Sequence, residues 1–447
     1  MCKVSTADRP WYWRIALLAV TLFALGLRWA YSIHAVVDNP IRGDAVQYVS
    51  YAWNMAHHGA FSMSLPGSAK IVPDSFRDPG YPSVLACVML VFDELGPWYR
   101  SVLLLQGLLG ALTVTLLTAS VRPWLGAKWS LVAGLLMAIW PHSITITGFL
   151  LSETATAFWV ALAFFLLHRA NVRSGLFPMA FSGIAFSLAA LTNAVLIPFA
   201  TLLALILWWN KSCTSKLAFV LALSSLLLPA AWSARSVQLP TTDSSSGRAL
   251  LNAVQGSWPE YHASYIPSVM GDPGAKQIQA DIWHEYEVLR TSPAIGMQMV
   301  SERMGQHPWR YAAWYASKPA LLWDWSIRMG IGSIYVYSTS HSILDEQPIL
   351  RATVTICRML NPLIMALALV GLVLTWRGRR ESPMMPIAFA ALAAYVTVIY
   401  SLLQAEPRYA IPFRCVELIL AVEAIRCAAR WRATWRQPSS PTADSIA

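Results

Sequence analysis

The sequence predicts an all-α polytopic membrane protein with about ten transmembrane helices, and three observations predict this class. Of its 447 residues, 56% are hydrophobic and only 13% are charged, and the mean hydropathy is +0.48. Apolar runs of about 20 residues, the length that crosses a bilayer as a helix, recur along the chain. The net charge of +10 lies at the ends of these runs rather than on one basic face, which excludes a nucleic-acid-binding protein.

The first apolar run predicts a transmembrane helix over residues 14–37, after a cytoplasmic N-terminus of residues 1–13. The run is too long for a signal peptide and lacks a small-residue cleavage site, so we interpret it as a retained span. Transmembrane helices 2–7 are predicted within residues 98–234, at 98–120, 129–145, 150–168, 176–190, 192–209 and 217–234. Transmembrane helices 8–10 are predicted within residues 353–427, at 353–375, 383–403 and 409–427, before a basic, disordered cytoplasmic tail over residues 428–447.

Two segments are too long to be mere connectors, and function is expected there. They are the first loop, residues 38–97, and the large loop, residues 235–352, which follows the seventh span. Within the first loop, the apolar run from Gly80 to Phe92 is too short to cross a bilayer and predicts a juxtamembrane helix. The sequence leaves open whether residues 80–92 cross.

The distribution of charge gives this topology its orientation. The segments predicted to be cytoplasmic hold 16 of the 33 lysine and arginine residues and only four acidic residues. Short cytoplasmic loops of membrane proteins collect lysine and arginine. Both termini are therefore predicted to be cytoplasmic, and both long loops are predicted to be external.

Several ionisable residues stand where the predicted spans meet these loops. Asp44 opens a helical stretch and is a good N-cap residue, so capping is one interpretation of its role. Glu153 begins a span, and an ionisable group at that depth is a functional candidate by default. It is interpreted as a sugar ligand, a metal ligand or a helix cap, and His142 is an additional candidate beside it. A divalent metal is thus an open alternative, and no other cofactor is predicted.

Short motifs in a fixed order carry further information. They comprise Asp44, Tyr48, Ala52 and Gly59; Arg77, Pro79, Gly80, Tyr81 and Pro82; Pro141, Leu151, Ser152 and Glu153; Leu191, Thr192 and Pro198; Trp232 and Arg235; and Arg408, Tyr409 and Pro412. Their order resembles that of the GT-C glycosyltransferases, in particular the protein O-mannosyltransferase-like and lipid A aminoarabinose transferase-like branch. Three positions depart from the pattern. Ala45 stands where many relatives have a second acidic residue, Asp78 adds a carboxylate, and Asn193 replaces the usual basic residue.

The resemblance implies an inverting glycosyltransferase of the hexosyl- or pentosyltransferase kind. Its donor is a polyprenyl-phosphate-linked sugar, and its acceptor a protein, lipid A or an envelope glycan at the periplasmic face of a bacterial inner membrane. Asp44 is the candidate general base, because an acceptor hydroxyl must lose its proton. Guanidinium groups hold phosphate oxygens bidentately. The candidate donor- and phosphate-binding residues are Arg77, Tyr81, Glu153, Arg235, Arg408 and Tyr409, with Asp78 and His142 as additional candidates.

Alternatives of other classes stay open at this point. A transporter or flippase would have a similar number of spans, although the sequence shows no duplicated halves with matching broken helices. A glycan ligase or polymerase would use a polyprenyl diphosphate and concentrate its key residues in the large loop. In a non-catalytic scaffold, Asp44 would be a helix cap only. The sugar, the acceptor, the metal requirement and the oligomeric state cannot be read from the sequence.

Overall fold

The computed structural model describes residues 10–173, 175–239, 245–378 and 384–435, and these ranges are mainly helical. The predicted all-α class is confirmed. Residues 1–9 of the predicted cytoplasmic N-terminus and residues 436–447 of the predicted disordered tail lie outside the described residues.

In the described part of the chain, ten α-helices precede the large loop. They are α1 (Pro10–His34), α2 (Asp44–His58), α3 (Gly80–Met89), α4 (Leu95–Leu125), α5 (Ala127–Ile139), α6 (Pro141–Thr145), α7 (Glu153–Arg173), α8 (Leu176–Thr192), α9 (Phe199–Trp209) and α10 (Ser215–Val237). Short 3₁₀ helices at Ile146–Gly148 and Ala194–Leu196 precede α7 and α9. A glycine ends α2: Gly59 takes a left-handed φ of 62° there, which a glycine adopts without steric cost.

The large loop is helical too, and four helices follow it. The loop contains α11 (Ser245–Ser257), α12 (Tyr261–Val269), α13 (Pro273–Thr291), α14 (Pro293–Gln306), α15 (Pro308–Leu322) and α16 (Ile343–Glu346). After it come α17 (Pro348–Arg377), α18 (Met384–Leu402), α19 (Pro407–Ala410), the 3₁₀ helix Ile411–Phe413 and α20 (Arg414–Trp435).

The apolar helices make this a multi-pass membrane protein. Among the described residues, five helices are long and apolar enough to cross a bilayer alone: α1, α4, α10, α17 and α18. A sixth span is formed if α5 and the segment Pro141–Gly148, which bend by 60° relative to each other, count as one. Helices α7, α8, α9 and α20 overlap further predicted spans, although α8 has only 17 residues and α9 only 11. The full count of about ten spans stays a prediction.

The bundle packs around one extended core, and both loops lie against it. Helix α7 packs on α4 and α8, α8 packs on α10, and α17 packs on α20. In the first loop, α2 packs on α3, whose ten residues span only about 15 Å at 1.5 Å per residue. The large loop has a small core of its own, formed by Val254, Tyr261, Ile282, Tyr286 and Leu289.

A two-stranded antiparallel sheet joins the last two residues of the predicted first span, which lie beyond the end of α1, to the large loop. Strand β1 (Val36–Val37) follows α1 directly, and strand β2 (Thr339–Ser340) lies near the end of the large loop. Val36 pairs with Ser340, and Val37 pairs with Thr339. The sheet holds the end of the large loop beside the start of the first loop, seven residues before Asp44.

Candidate active site

Asp44 is the first residue of α2, and a glycine turn places it there. Gly43 precedes the helix with φ +54°, a left-handed conformation that side chains rarely adopt. A Cβ atom on Gly43 would lie 3.3 Å from the Tyr337 hydroxyl, so space also favours glycine. The N-cap position belongs to Gly43, and no side chain caps the helix by a hydrogen bond. The interpretation of Asp44 as the N-cap is therefore wrong.

The carboxylate of Asp44 lies between two guanidinium groups. Its Oδ1 is 2.5 Å from Nη2 of Arg77, and its Oδ2 is 2.9 Å from Nη2 of Arg408. Arg408 also donates from Nε to Oε1 of Glu153 at 2.5 Å. We call Asp44, Arg77, Glu153 and Arg408 the charge cluster. It contains two cations and two anions, so its formal net charge is zero.

Helix ends bring the members of the charge cluster together. Asp44 begins α2 and Glu153 begins α7, where the helix dipole favours negative charge. Arg408 lies in α19, the short helix that leads into α20. Arg77 reaches the cluster from the segment before α3, and its Nε donates to Oε1 of Gln47 at 2.5 Å.

The two arginines determine the charge state of Asp44. Burial by itself would raise the pKa of this carboxyl group, but the positive charges of Arg408 and Arg77 outweigh burial and hold its pKa well below the usual range. Asp44 is therefore ionised at neutral pH. Its side chain is still 32% exposed, so it lies at an accessible surface of the site.

Two tyrosine rings pack next to the charge cluster. The Arg77 guanidinium lies 5.1 Å from the centre of the Tyr48 ring, and the Tyr81 ring meets Tyr48 edge to face with centroids 5.1 Å apart. The Tyr81 hydroxyl donates to Gln106 Oε1 at 2.9 Å, and Tyr81 is 1% exposed. Tyr81 thus contacts Tyr48, and Tyr48 in turn contacts Arg77 of the cluster.

Tyr409 and Asp78 border the charge cluster. The ring of Tyr409 stacks on Tyr400 at 5.3 Å, and its hydroxyl donates to Gln404 at 3.1 Å. Asp78 accepts a hydrogen bond from Arg248 in α11 at 2.6 Å and one from the backbone N–H of Ala194 at 3.3 Å. The carboxylate that departs from the GT-C pattern therefore joins the first loop to the large loop.

Two predicted site residues make their contacts elsewhere. Arg235 donates to the carbonyl oxygens of Asp74 at 2.9 Å and Phe61 at 3.4 Å. It therefore binds the part of the first loop that precedes Arg77 in the sequence. His142 bonds through Nε2 to the carbonyl oxygen of Trp325 at 2.7 Å. Within the described ranges, no three His, Cys, Asp or Glu side chains are grouped so that they could hold a metal ion.

An apolar cavity begins two residues after Arg77. Its volume is about 550 Å³, and it lies between α3, α4, α7 and α8. The lining residues include Pro79, Ser83, Val84, Val88, Trp159 and Leu188. A cavity with such a lining accepts hydrocarbon rather than a polar ligand.

Two residues of the site escaped the sequence reasoning. Gln47 lies three positions after Asp44, on the same face of α2, and this spacing was a usable signal. Arg248 gave no such signal, because its partner Asp78 lies 170 residues away in the sequence.

The helical bundle has the GT-C fold of membrane glycosyltransferases, so the resemblance read from the sequence is confirmed at the level of fold. Solved structures with this fold include the oligosaccharyltransferase AglB of Archaeoglobus fulgidus tethered with an acceptor peptide, at TM-score 0.53 and 10% identity over 96% of this chain and 51% of that chain. The same enzyme in complex with an inhibitory peptide and a dolichol-phosphate matches at TM-score 0.53 and 12% identity over 98% and 53%.

ArnT from Cupriavidus metallidurans bound to undecaprenyl phosphate aligns at TM-score 0.39 and 13% identity, over 97% of this chain and 82% of that chain. This chain spans about half the length of AglB. No protein-family model matches the sequence, and no curated protein sequence matches it either.

Proposed function

We propose that this chain is an inverting membrane glycosyltransferase that takes a sugar from a polyprenyl-phosphate donor and gives it to an acceptor hydroxyl at the periplasmic face of a bacterial inner membrane. The observation that carries the proposal is the position of Asp44 between Arg77 and Arg408. Such a site offers one proton acceptor and two phosphate-binding groups at one place. The dolichol-phosphate in the AglB complex supports a lipid phosphate as the donor class.

Donor binding rearranges the charge cluster in this proposal. The sugar phosphodiester is an anion, and it competes with the Asp44 carboxylate for the guanidinium groups of Arg77 and Arg408. The planar fork of guanidinium N–H donors binds carboxylate oxygens and phosphate oxygens with the same geometry. A phosphate can therefore replace the carboxylate without a change in the arginine donors. Glu153 keeps its contact with Arg408 Nε and so holds this arginine in place during the exchange.

The same exchange prepares Asp44 as a base. A carboxylate that two cations hold in its ionised form is a weak proton acceptor. Once the arginines turn to the phosphate, Asp44 loses its counter-charges and gains an anionic neighbour, and both changes increase its affinity for a proton. The donor thereby activates the base that serves it.

The sugar is then transferred in a single displacement. The acceptor oxygen forms a bond to the anomeric carbon from the face opposite the phosphate, and its proton passes to Asp44. The bond between the anomeric carbon and the phosphate oxygen breaks, and the electron pair leaves with the polyprenyl phosphate. This leaving group gains a second negative charge, which Arg77 and Arg408 stabilise in the transition state.

The apolar cavity provides the place for the lipid tail. Pro79 and Ser83 lie on its wall, and Arg77 lies two residues earlier in the same segment. A phosphate at Arg77 therefore puts the first isoprene units of the donor at the cavity. Tyr81 and Tyr409 serve the site by holding neighbouring groups in place.

Purified protein in lipid nanodiscs tests the proposal directly. Each of a panel of polyprenyl-phosphate sugars is supplied with a mixed acceptor fraction from bacterial envelopes, and release of polyprenyl phosphate and transfer of labelled sugar are measured. We expect consumption of a monophosphate-linked sugar. Consumption of a diphosphate-linked glycan instead would support the ligase alternative, and folded protein that consumes neither would contradict the proposal.

A further inference from the structure

Arg408 lies in a very short helix, and its position depends on the residues that flank this helix. Helix α19 contains only Pro407–Ala410, and isolated helices shorter than about 12 residues are marginally stable at best. The Arg408 guanidinium nevertheless makes two defined contacts, 2.9 Å to Asp44 and 2.5 Å to Glu153. The segment that carries Arg408 is therefore held by contacts outside α19.

Glu406 precedes α19 directly, and its side chain is 0% exposed. Its Oε1 accepts hydrogen bonds from the backbone N–H groups of Arg328 at 2.7 Å and Met329 at 3.2 Å. Its Oε2 lies 3.3 Å from Nε2 of His262 in α12. Burying a carboxylate is costly unless it is hydrogen-bonded or paired, so these groups of the large loop hold Glu406 in place. Both hydrogen-bond donors are backbone groups, and a substitution of the Arg328 side chain leaves them in place.

The large loop holds the same segment at two further points. On the N-terminal side, Nζ of Lys318, a buried residue of α15, donates to the carbonyl oxygen of Leu403 at 2.6 Å. Helix α11 approaches this carbonyl group so closely that a Cβ atom on Gly256 would clash with it. On the C-terminal side, Nη1 of Arg414 donates to the carbonyl oxygen of Trp323 at 2.8 Å. Residues of the large loop therefore fix the chain on both sides of α19.

We propose that Glu406 is a positioning residue that determines where the Arg408 guanidinium meets the donor phosphate, an inference that rests on the proposed function. Only Pro407 separates the two residues, and because proline has a fixed φ, this link has little freedom. Among the described residues, no ion pair joins Glu406 to Arg408, so Glu406 acts through the backbone. The large loop thereby helps to place a phosphate-binding arginine of the charge cluster.

Hydrogen exchange of the full-length protein in nanodiscs is the first test, and it does not depend on activity. Glu406→Ala removes the acceptor of two buried N–H groups, so the backbone amides of residues 408–413 should exchange at least about 10-fold faster. Glu285→Ala is the matched control, because Glu285 is a buried carboxylate of the same loop that pairs with Arg303 at 2.8 Å. It should leave these amides at the native rate. Unchanged exchange in Glu406→Ala, or equal acceleration in both variants, would overturn the positioning role.

A double-mutant cycle on the binding of undecaprenyl phosphate, used as the probe, is the second test. If Glu406 acts through Arg408, Glu406→Ala should weaken binding about 10-fold in the native background and less than about twofold in the Arg408→Gln background. Binding is measured per folded molecule, so a loss of stability alone leaves the dissociation constant unchanged. Equal weakening in both backgrounds would overturn the positioning role.

Two further outcomes are decided by the same measurements. Native protein that binds no undecaprenyl phosphate would contradict the proposed function, and hydrogen exchange would still decide whether Glu406 fixes the Arg408 segment. If Glu406→Ala does not fold, Lys318→Met replaces it, because it removes the donor to the Leu403 carbonyl group on the same segment. This variant should accelerate the same amides and weaken binding about threefold, again only when Arg408 is present. Native values in both measurements would overturn the proposal.

Discussion

Two arginine–carboxylate arrangements in this molecule differ in how their charges are matched. In the large loop, Arg303 binds Glu285 through two parallel hydrogen bonds of 2.8 Å. Its remaining donors bind Ser257 Oγ at 2.7 Å and the Tyr311 hydroxyl at 2.9 Å. One guanidinium thus matches one carboxylate, and the carboxylate side chain is only 4% exposed.

The charge cluster is built differently. The Asp44 carboxylate is divided between two arginines, one on each oxygen, and 32% of its side chain is exposed. One oxygen of Glu153 has no hydrogen-bond partner among the residues that the structure describes. A fully matched, buried pair such as Arg303–Glu285 stabilises one packing arrangement of the helices that carry it. A shared, accessible carboxylate leaves its cations free to exchange it for another anion, which is what a site for a phosphate donor requires.

The largest expected effect is that of Asp44→Asn on the rate of transfer. Asparagine keeps the size of the side chain but cannot accept the acceptor's proton, and loss of a general base typically lowers a rate by about 100- to 10,000-fold. Sugar transfer and thermal stability should be measured together on the same preparation. The rate should collapse while the protein stays folded.

Asp272→Asn is the matched control, because Asp272 truly caps a helix by accepting from the backbone N–H of Ala275 at 2.6 Å. Asparagine caps about as well as aspartate, so this variant should transfer sugar normally. A folded Asp44→Asn protein with more than about a tenth of the normal rate would remove Asp44 from the mechanism.

The opposite behaviour is expected of Glu285→Gln. Breaking a buried ion pair by removing one charge costs about 3–5 kcal/mol, because the partner is left uncompensated. The variant should therefore unfold at a lower temperature or denaturant concentration. Its rate per folded molecule should stay near that of the native protein, and a selective loss of rate without a loss of stability would show that the two arrangements are not different in kind.

The sequence predicted the fold class, and it singled out the four residues that the structure brings together as the charge cluster. The apolar runs predicted helices such as α4 and α17, because bilayer-spanning helices must be long and apolar. Motif order singled out Asp44, Glu153 and Arg408. Their pairing was out of reach, since Glu153 and Arg408 are 255 residues apart in the sequence and only the packing of α7 against the segment before α20 brings them together.

Local geometry explains what the sequence did not predict. Capping by Asp44 was a reasonable expectation for an aspartate at a helix start, but the left-handed turn at Gly43 moved Asp44 one position into the helix. Arg235 lies near a helix end, as predicted, and there the carbonyl oxygens of Phe61 and Asp74 bind it. Its role in phosphate binding stays a prediction.

Neutral substitutions of Arg408 and Arg235 test which of the two arginines binds the donor phosphate. Arg408→Gln should raise the donor KM by about 10- to 100-fold, the value of a lost charge-assisted contact. Arg235→Gln should raise it less, because Arg235 holds backbone carbonyl groups. Donor-concentration series on both variants measure this difference. Arg328→Gln is the control, since its ion pair with Asp324 is long, at 3.6 Å, and half exposed; a donor KM of Arg408→Gln equal to that of the control would contradict the phosphate role.

Filling the apolar cavity should have a smaller effect that depends on the donor's length. Val84→Trp places an indole ring where lipid is proposed to lie. Displacing two methylene groups costs about 1.6 kcal/mol, or about 15-fold in donor affinity. A long-chain donor should lose this affinity, and a donor shortened to one isoprene unit should lose little. Val373→Trp, at a 37% exposed position of α17, is the control, and equal loss for long and short donors would place the tail elsewhere.

The smallest effect concerns stability and pH in the absence of donor. Because Arg408 and Arg77 hold the pKa of Asp44 below its usual range, ionised Asp44 stabilises the folded state at every pH above the unfolded value of about 3.9. That contribution is lost only as the pH falls from there toward the lower folded pKa. The stability difference between the native protein and Asp44→Asn should therefore be constant from pH 8 to pH 5 and shrink below about pH 4. Thermal unfolding in nanodiscs measures it. A difference that already shrinks between pH 7 and pH 5 would mean that the two arginines do not hold Asp44 in the donor-free protein, and the contrast with the Arg303–Glu285 pair would then need another explanation.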